Sequence, residues 1–181
     1  MIPKGISRLR GQTARTCLTL GWWATRYTIL VAGKDTAGRY CLIDMHIPTG
    51  GGPPPHRHDF EEMFSVLEGE IEASFRGKKT IIRTGETINI PANAPHQFQN
   101  KSGQPARLLC LCSPAGQEEF FKEVGVPVAT RTTPPPPLDE EAEAAFISEG
   151  QNPCSEIPNR AFTPSGSNSG LTRNCALKAD I

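Results

Sequence analysis

The chain has 181 residues, room for one ordinary domain with modest extensions, and its 19 basic side chains balance 19 acidic ones. Zero net charge gives no pull toward a polyanion such as nucleic acid, so a small neutral or weakly charged ligand is the expected partner. No stretch approaches the roughly 18–20 apolar residues of a membrane span, and six irregularly spaced cysteines without a C-x-x-C pair read as reduced thiols of a cytoplasmic protein.

The start of the chain is basic: Lys4, Arg8, Arg10, Arg15, Arg26 and Lys34 all precede the first acid, Asp35. Residues 1–20 are read as a basic arm, because the apolar run after Cys17 is too short and too broken by Thr19 and Gly21 for a secretory signal. Residues 21–126 are read as a barrel with a packed helix. Residues 127–150 follow as a Pro-rich linker and short helix, and residues 151–181 as a loose tail.

Short β-rich segments punctuated by Gly, Pro and Asn predict strands over 26–32, 40–47, 62–67, 70–75, 79–83, 87–90, 97–100 and 106–112. Eight such strands suit an all-β, two-sheet jelly roll. Glu68-Gly69 and Arg76-Gly77 predict tight hairpin turns, and Ser102-Gly103 a further turn, so the sheets should be mostly antiparallel. Gln117 to Val124 predicts a short helix with Ser113 as N-cap, Pro114 at its first position, Gly125 as its stop, and Phe120, Phe121 and Val124 against the barrel. The polyproline run 134–137 reads as a stiff spacer, and the acidic, alanine-rich stretch 138–149 predicts a second helix.

The chemistry concentrates between Gly50 and Asn100. Side chains two, four or six apart on a strand share a face, so His56, His58 and Glu62 point one way, followed by Phe64 and Val66. Glu61 faces away. Two imidazoles and a carboxylate are the donor set of Fe, Mn, Ni, Co, Cu or Zn rather than Ca or Mg. His96, just after the Pro-rich turn 91–95, supplies a fourth donor if its strand lies antiparallel beside the first. Thus three of the chain's four histidines join one cluster. The fourth, His46, alternates with Ile43, Met45 and Ile47 and belongs to the opposite face. Arg57 and Asp59 alternate with the donors and read as a solvated pair. Cys110 and Cys112 share a face of an apolar strand and read as buried structural thiols.

These segments, Gly50-x5-His56-x-His58-x3-Glu62-x6-Gly69 and Gly85-x5-Pro91-x-Asn93-x2-His96-x3-Asn100, resemble the two motifs of the cupin superfamily. Asn93 departs from the usual glycine, but asparagine is the commonest other occupant of left-handed backbone, so the turn should survive. Flanking segments, from Gly21-Trp22-Trp23 to Ser113-Pro114 and Glu118-Glu119-Phe120-Phe121, extend the resemblance over residues 21–145 to monocupins of the quercetin dioxygenase-like group. The resemblance implies a six- or eight-stranded barrel, often homodimeric, holding one divalent transition metal on His56, His58, Glu62 and His96.

It further implies a dioxygenase in which Glu62 doubles as the base, acting on a flavonol-like or other phenolic or enediol molecule with dioxygen as co-substrate. Phe64, Phe98, Met45 and Ile47 would line the substrate pocket. Two other readings fit the same barrel: a non-redox, metal-assisted isomerase, lyase or decarboxylase, and a cupin that binds a small molecule without converting it. No helix-turn-helix is legible in residues 113–181, which counts against a complete transcription regulator.

Overall fold

The computed structural model describes residues 17–22, 24–75, 77–131 and 133, together with the backbone of Glu156–Ile157. The basic arm up to residue 16, the spacer 134–137 and the second helix expected over 138–149 lie outside the described residues.

In chain order the strands are β1 (Thr19–Trp22), β2 (Thr25–Val31), β3 (Cys41–Ile47), β4 (Arg57–His58), β5 (Glu61–Glu68), β6 (Glu70–Phe75), β7 (Lys78–Arg83), β8 (Thr87–Ile90), β9 (His96–Gln99) and β10 (Ala106–Ser113). Helix α1 (Gln117–Val124) follows, then β11 (Val126–Pro127) and β12 (Glu156–Ile157). A seven-stranded sheet runs β11-β1-β2-β3-β10-β5-β8 and a three-stranded sheet runs β7-β6-β9, both antiparallel throughout. Their inner faces share one hydrophobic core, to which Ile43, Val66 and Leu108 come from the larger sheet and Ile71, Ile82 and Phe98 from the smaller. This is the expected all-β jelly roll. A third, two-stranded sheet pairs β12 in parallel with β4, so the segment read as a loose tail contributes a short strand.

Period-two alternation builds the larger sheet. Ala106, Leu108, Cys110 and Cys112 of β10 are buried while the residues between them are half-buried, and Cys41, Ile43, Met45 and Ile47 of β3 face the same core. Asp44 breaks the pattern on β3: it lies on the outer face yet is only 1 % exposed. Arg107 accounts for this, donating to both Asp44 oxygens from Nε (3.0 Å) and an NH2 nitrogen (2.8 Å), with Arg131 as a second partner. Burial pushes the Asp44 carboxyl up, but these guanidinium contacts outweigh it and hold the group below the usual carboxylate range.

The strand set departs from the sequence reading chiefly at short or edge elements. β1 begins at Thr19, inside the stretch read as an arm, and Leu20 is buried in the core. The expected strand at 62–67 is preceded by a separate two-residue β4, with a bend at Asp59 and Phe60 between them. Gly69, at φ +74°, makes the β5–β6 turn, where an added Cβ would stand 2.9 Å from the Pro105 carbonyl oxygen.

Helix α1 occupies the expected residues but is capped differently. Ser113 is the last residue of β10 and donates its hydroxyl to the Arg39 carbonyl, and Gly116 is the N-cap. The buried Glu118 carboxylate does the capping, accepting the N–H of Gly116 (3.0 Å) and that of Gly33 (2.5 Å). Phe121 stacks on Tyr27 with centroids 3.8 Å apart, and Phe120 meets Trp22 edge-on. Val124, expected in that contact, is exposed, because the helix buries its Gln117, Glu118 and Phe121 stripe instead. Among the described residues no helix is long and apolar enough to cross a membrane.

Candidate metal centre

Three separate stretches of backbone converge on one point. His58 ends β4, Glu62 is the second residue of β5, and His96 opens β9. His56 is tied to His96 by a reciprocal backbone pair, with N–H to carbonyl distances of 3.0 and 2.9 Å. Asn93 sets the turn before His96. It takes φ +62°, the left-handed conformation expected of it, and donates its N–H to the His58 carbonyl at 2.6 Å. Asn100, fully buried, locks the other end of β9 by donating its side-chain amide to the carbonyls of Ile47 and Gln104.

Ligand atoms of His56, His58, Glu62 and His96 all lie within 4.8 Å of one another. His58, Glu62 and His96 are buried, and His56 is half-buried at the mouth. Glu61 is exposed and hydrogen-bonds Asn89 and the Ala92 N–H, on the side away from the cluster that holds Glu62. His46 lies half-buried on the outer face of β3, apart from this cluster. Asp59 is exposed, as expected, whereas Arg57 is half-buried.

Each imidazole is anchored in the same way. Nδ1 of His56 donates to the Pro54 carbonyl (2.9 Å), that of His58 to the Phe60 carbonyl (2.8 Å) and that of His96 to the Ala94 carbonyl (3.0 Å). A carbonyl oxygen only accepts, so all three Nδ1 atoms carry hydrogen and a neutral ring presents a bare lone pair at Nε2. Burial above all, then the neighbouring His96, pushes the His56 pKa down to about 4, which keeps that ring neutral at neutral pH.

Yet Glu62 Oε2 stands 3.0 Å from His58 Nε2 and 3.1 Å from His96 Nε2. Burial pushes the Glu62 carboxyl up, but its His58 and His96 contacts outweigh burial and hold it below the ordinary carboxylate range, so it is anionic. Two imidazole nitrogens and a carboxylate oxygen at this range are held together by a positive charge shared among them, either a proton on an imidazole or a metal ion. Neighbouring donors at right angles around an ion, with bonds of about 2.1 Å, stand about 3.0 Å apart. The donor set therefore fits a divalent transition ion, and the backbone-anchored Nδ1 atoms are the usual outer support of metal-binding histidines.

Two features of the centre escaped the sequence reading. Phe60 is 1 % exposed, and its ring lies flat on His58, with centroids 3.9 Å apart and 7° between planes. Its position midway between His58 and Glu62 in the same parity was the available signal. Cys110 and Cys112 are buried as expected, but they also adjoin the centre: Cys110 Sγ is 3.4 Å and Cys112 Sγ 3.9 Å from Glu62 Oε1. Phe64 and Phe98 meet edge-to-face with centroids 5.0 Å apart, and Met45 and Ile47 are buried with them in the core.

Residues 43–112 match the family described as "Cupin domain". Over 140 residues the chain is 26 % identical to quercetin 2,3-dioxygenase of Bacillus subtilis, covering 71 % of this chain but only 41 % of that protein's length. Among solved structures it resembles a predicted oxalate decarboxylase from Thermotoga maritima, with TM-score 0.54 and 16 % identity over 59 % of this chain and 99 % of that one. It also resembles the polyketide cyclase RemF from Streptomyces resistomycificus, with TM-score 0.52 and 24 % identity over 81 % and 94 %. At these identities the structures speak to the fold alone. Barrel, motif spacing and family match agree that residues 43–112 form a cupin domain.

Proposed function

We propose that this chain is a metal-dependent dioxygenase acting on a flavonol-like or other phenolic or enediol small molecule. His56, His58, Glu62 and His96 hold one divalent ion from the set Fe, Mn, Ni, Co, Cu and Zn. The observation that supports the metal is the gathering of two imidazole nitrogens about the Glu62 carboxylate oxygen at 3.0 and 3.1 Å, the spacing of neighbouring donors on one ion. Similarity to the Bacillus subtilis dioxygenase supports the reaction class. The reading includes dioxygen as co-substrate, a homodimeric assembly and a cytoplasmic setting, the last supported by the free thiols of Cys17, Cys41, Cys110 and Cys112.

When bound, the ion supplies a Lewis acid and a redox partner for dioxygen. The three imidazoles fix its place, each held in one tautomer by a backbone carbonyl. Glu62 accepts the substrate's hydroxyl proton at Oε2. A carboxylate held below its usual range is a weak base, so the transfer runs only from a hydroxyl whose acidity the centre has raised. Phe64 and Phe98, which meet edge-to-face, and the buried Met45 and Ile47 would give a planar ring an apolar wall.

The test incubates metal-loaded protein with flavonols, catechols and enediols, in air and under nitrogen. Oxygen-dependent loss of substrate is the expected result. Equal conversion without oxygen would replace this reading with a non-redox isomerase, lyase or decarboxylase, and saturable binding without conversion would replace it with a binding module.

A further inference from the structure

Glu62 is a two-sided group. Its Oε2 faces His58 and His96, while its Oε1 faces Cys110 and Cys112, whose sulfurs lie 3.5 Å apart. Ligand atoms of Glu62, Cys110 and Cys112 lie within 4.8 Å of one another, and all three residues are buried. We propose that Glu62 Oε1, Cys110 Sγ and Cys112 Sγ form a second metal site, selective for a thiophilic d10 ion such as Cu(I), Zn(II) or Cd(II), joined to the histidine centre through the Glu62 carboxylate.

The spacing carries the argument. Two thiolates bound to one tetrahedral ion at about 2.3 Å stand about 3.8 Å apart, and a thiolate and a carboxylate oxygen about 3.6 Å apart. The observed separations are 3.5, 3.4 and 3.9 Å. They define an acute triangle whose centre is about 2.1 Å from every corner, so an ion slightly above that plane reaches all three at ordinary bond lengths. A further buried thiol is nearby in the sheet, since Cys41 pairs with Cys112 across the β3–β10 register.

Strand geometry explains why the donors meet. Cys110 and Cys112 share the inner face of β10, and Glu62 lies opposite Cys112 in the β10–β5 register. Soft thiolates select a different ion from the imidazole centre beside them. Binding breaks both S–H bonds. Each sulfur electron pair forms a bond to the ion, and two protons leave to solvent, so a divalent ion enters in exchange for two protons. Without such an ion the same thiols donate to Glu62 Oε1 as hydrogen bonds.

Cadmium is the probe, because it accepts imidazole and thiolate alike and thiolate ligation produces an ultraviolet charge-transfer band. Equilibrium dialysis of the full-length protein should find two cadmium ions per chain, one of which brings the band and releases two protons. Cys110→Ser/Cys112→Ser should hold one ion and lack the band. His56→Ala/His96→Ala should lose the other ion and keep the band, so failure of this site and failure of the histidine centre give different results. Absence of the band from saturated wild-type protein overturns the proposal even if the cysteine variant fails to fold. A band of full strength in a folded cysteine variant overturns it too, since the thiolates would then come from Cys17, Cys41, Cys154 or Cys175.

Discussion

Phe60 offers a sharp test of how the centre is held together. Its carbonyl accepts the His58 Nδ1 hydrogen at 2.8 Å, and its ring covers His58 at 3.9 Å and 7°. Phe60→Leu keeps the carbonyl and most of the volume but removes the stacked ring. Aromatic pairs contribute about 0.5–1.5 kcal/mol beyond area burial, which corresponds to about a 2- to 12-fold loss of metal affinity if the stack orients His58. The same change should cost the metal-free fold about 1–2 kcal/mol, whereas Phe60→Ala should cost about 3–5 kcal/mol because a wholly buried ring is emptied. Competition with a chromophoric chelator reads the affinity and urea unfolding of stripped protein reads the stability. If Phe60→Leu binds metal as tightly as wild type while its stability falls, the ring is core filler and does not position His58.

Elemental analysis of purified Cys110→Ser/Cys112→Ser protein, which keeps the histidine centre alone, should find close to one transition metal per chain, and adding His96→Ala should remove most of it; unchanged metal content would refute the ligand assignment. Acid should weaken the metal-free fold through His56, because the unfolded imidazole takes a proton near ~6.5 and the folded one only near 4. Between those values the unfolded chain binds more protons, so this contribution is complete above about pH 6.5 and shrinks by up to about 3 kcal/mol as pH falls toward 4. His56→Gln should flatten that part of the curve of urea midpoint against pH. Gly52→Ala should destabilise the fold by more than about 1 kcal/mol and lower metal occupancy. At φ +133° its Cβ would stand 2.3 Å from the Phe98 carbonyl oxygen, forcing back the strand that carries His96; an unchanged melting temperature would contradict this.

The centre was legible in the sequence because strand parity is local. His56, His58 and Glu62 kept their common side even though a bend at Asp59 and Phe60 splits the strand. Asn93 kept the left-handed turn because its short polar side chain tolerates what larger ones do not. What local pattern could not report depends on distant partners. Asp44 reads as an outward polar residue, and only Arg107 and Arg131, far along the chain, make it a buried one. Ser113 looks like a helix cap, but β10 extends through it to pair with Glu61, so Glu118 takes over the capping. The proximity of Cys110 and Cys112 to Glu62 follows from the β10–β5 register, which no single segment encodes.

That register also links the centre to the stability of the whole barrel. Glu62 belongs to the seven-stranded sheet, His96 to the three-stranded sheet and His58 to the short β4–β12 pair. An ion held by all of them ties three sheets at one point, and the unfolded chain has no equivalent arrangement of donors. Metal should therefore stabilise the fold by mass action, by about 2.7 kcal/mol when free metal is 100 times Kd. The urea midpoint should rise with the logarithm of metal concentration in wild type. It should not rise in His96→Ala, where the donor from the smaller sheet is missing. A metal-dependent rise of equal size in both proteins would mean that the stabilising ion binds elsewhere, and the thiol site can be separated from that outcome by repeating the titration with Cys110→Ser/Cys112→Ser.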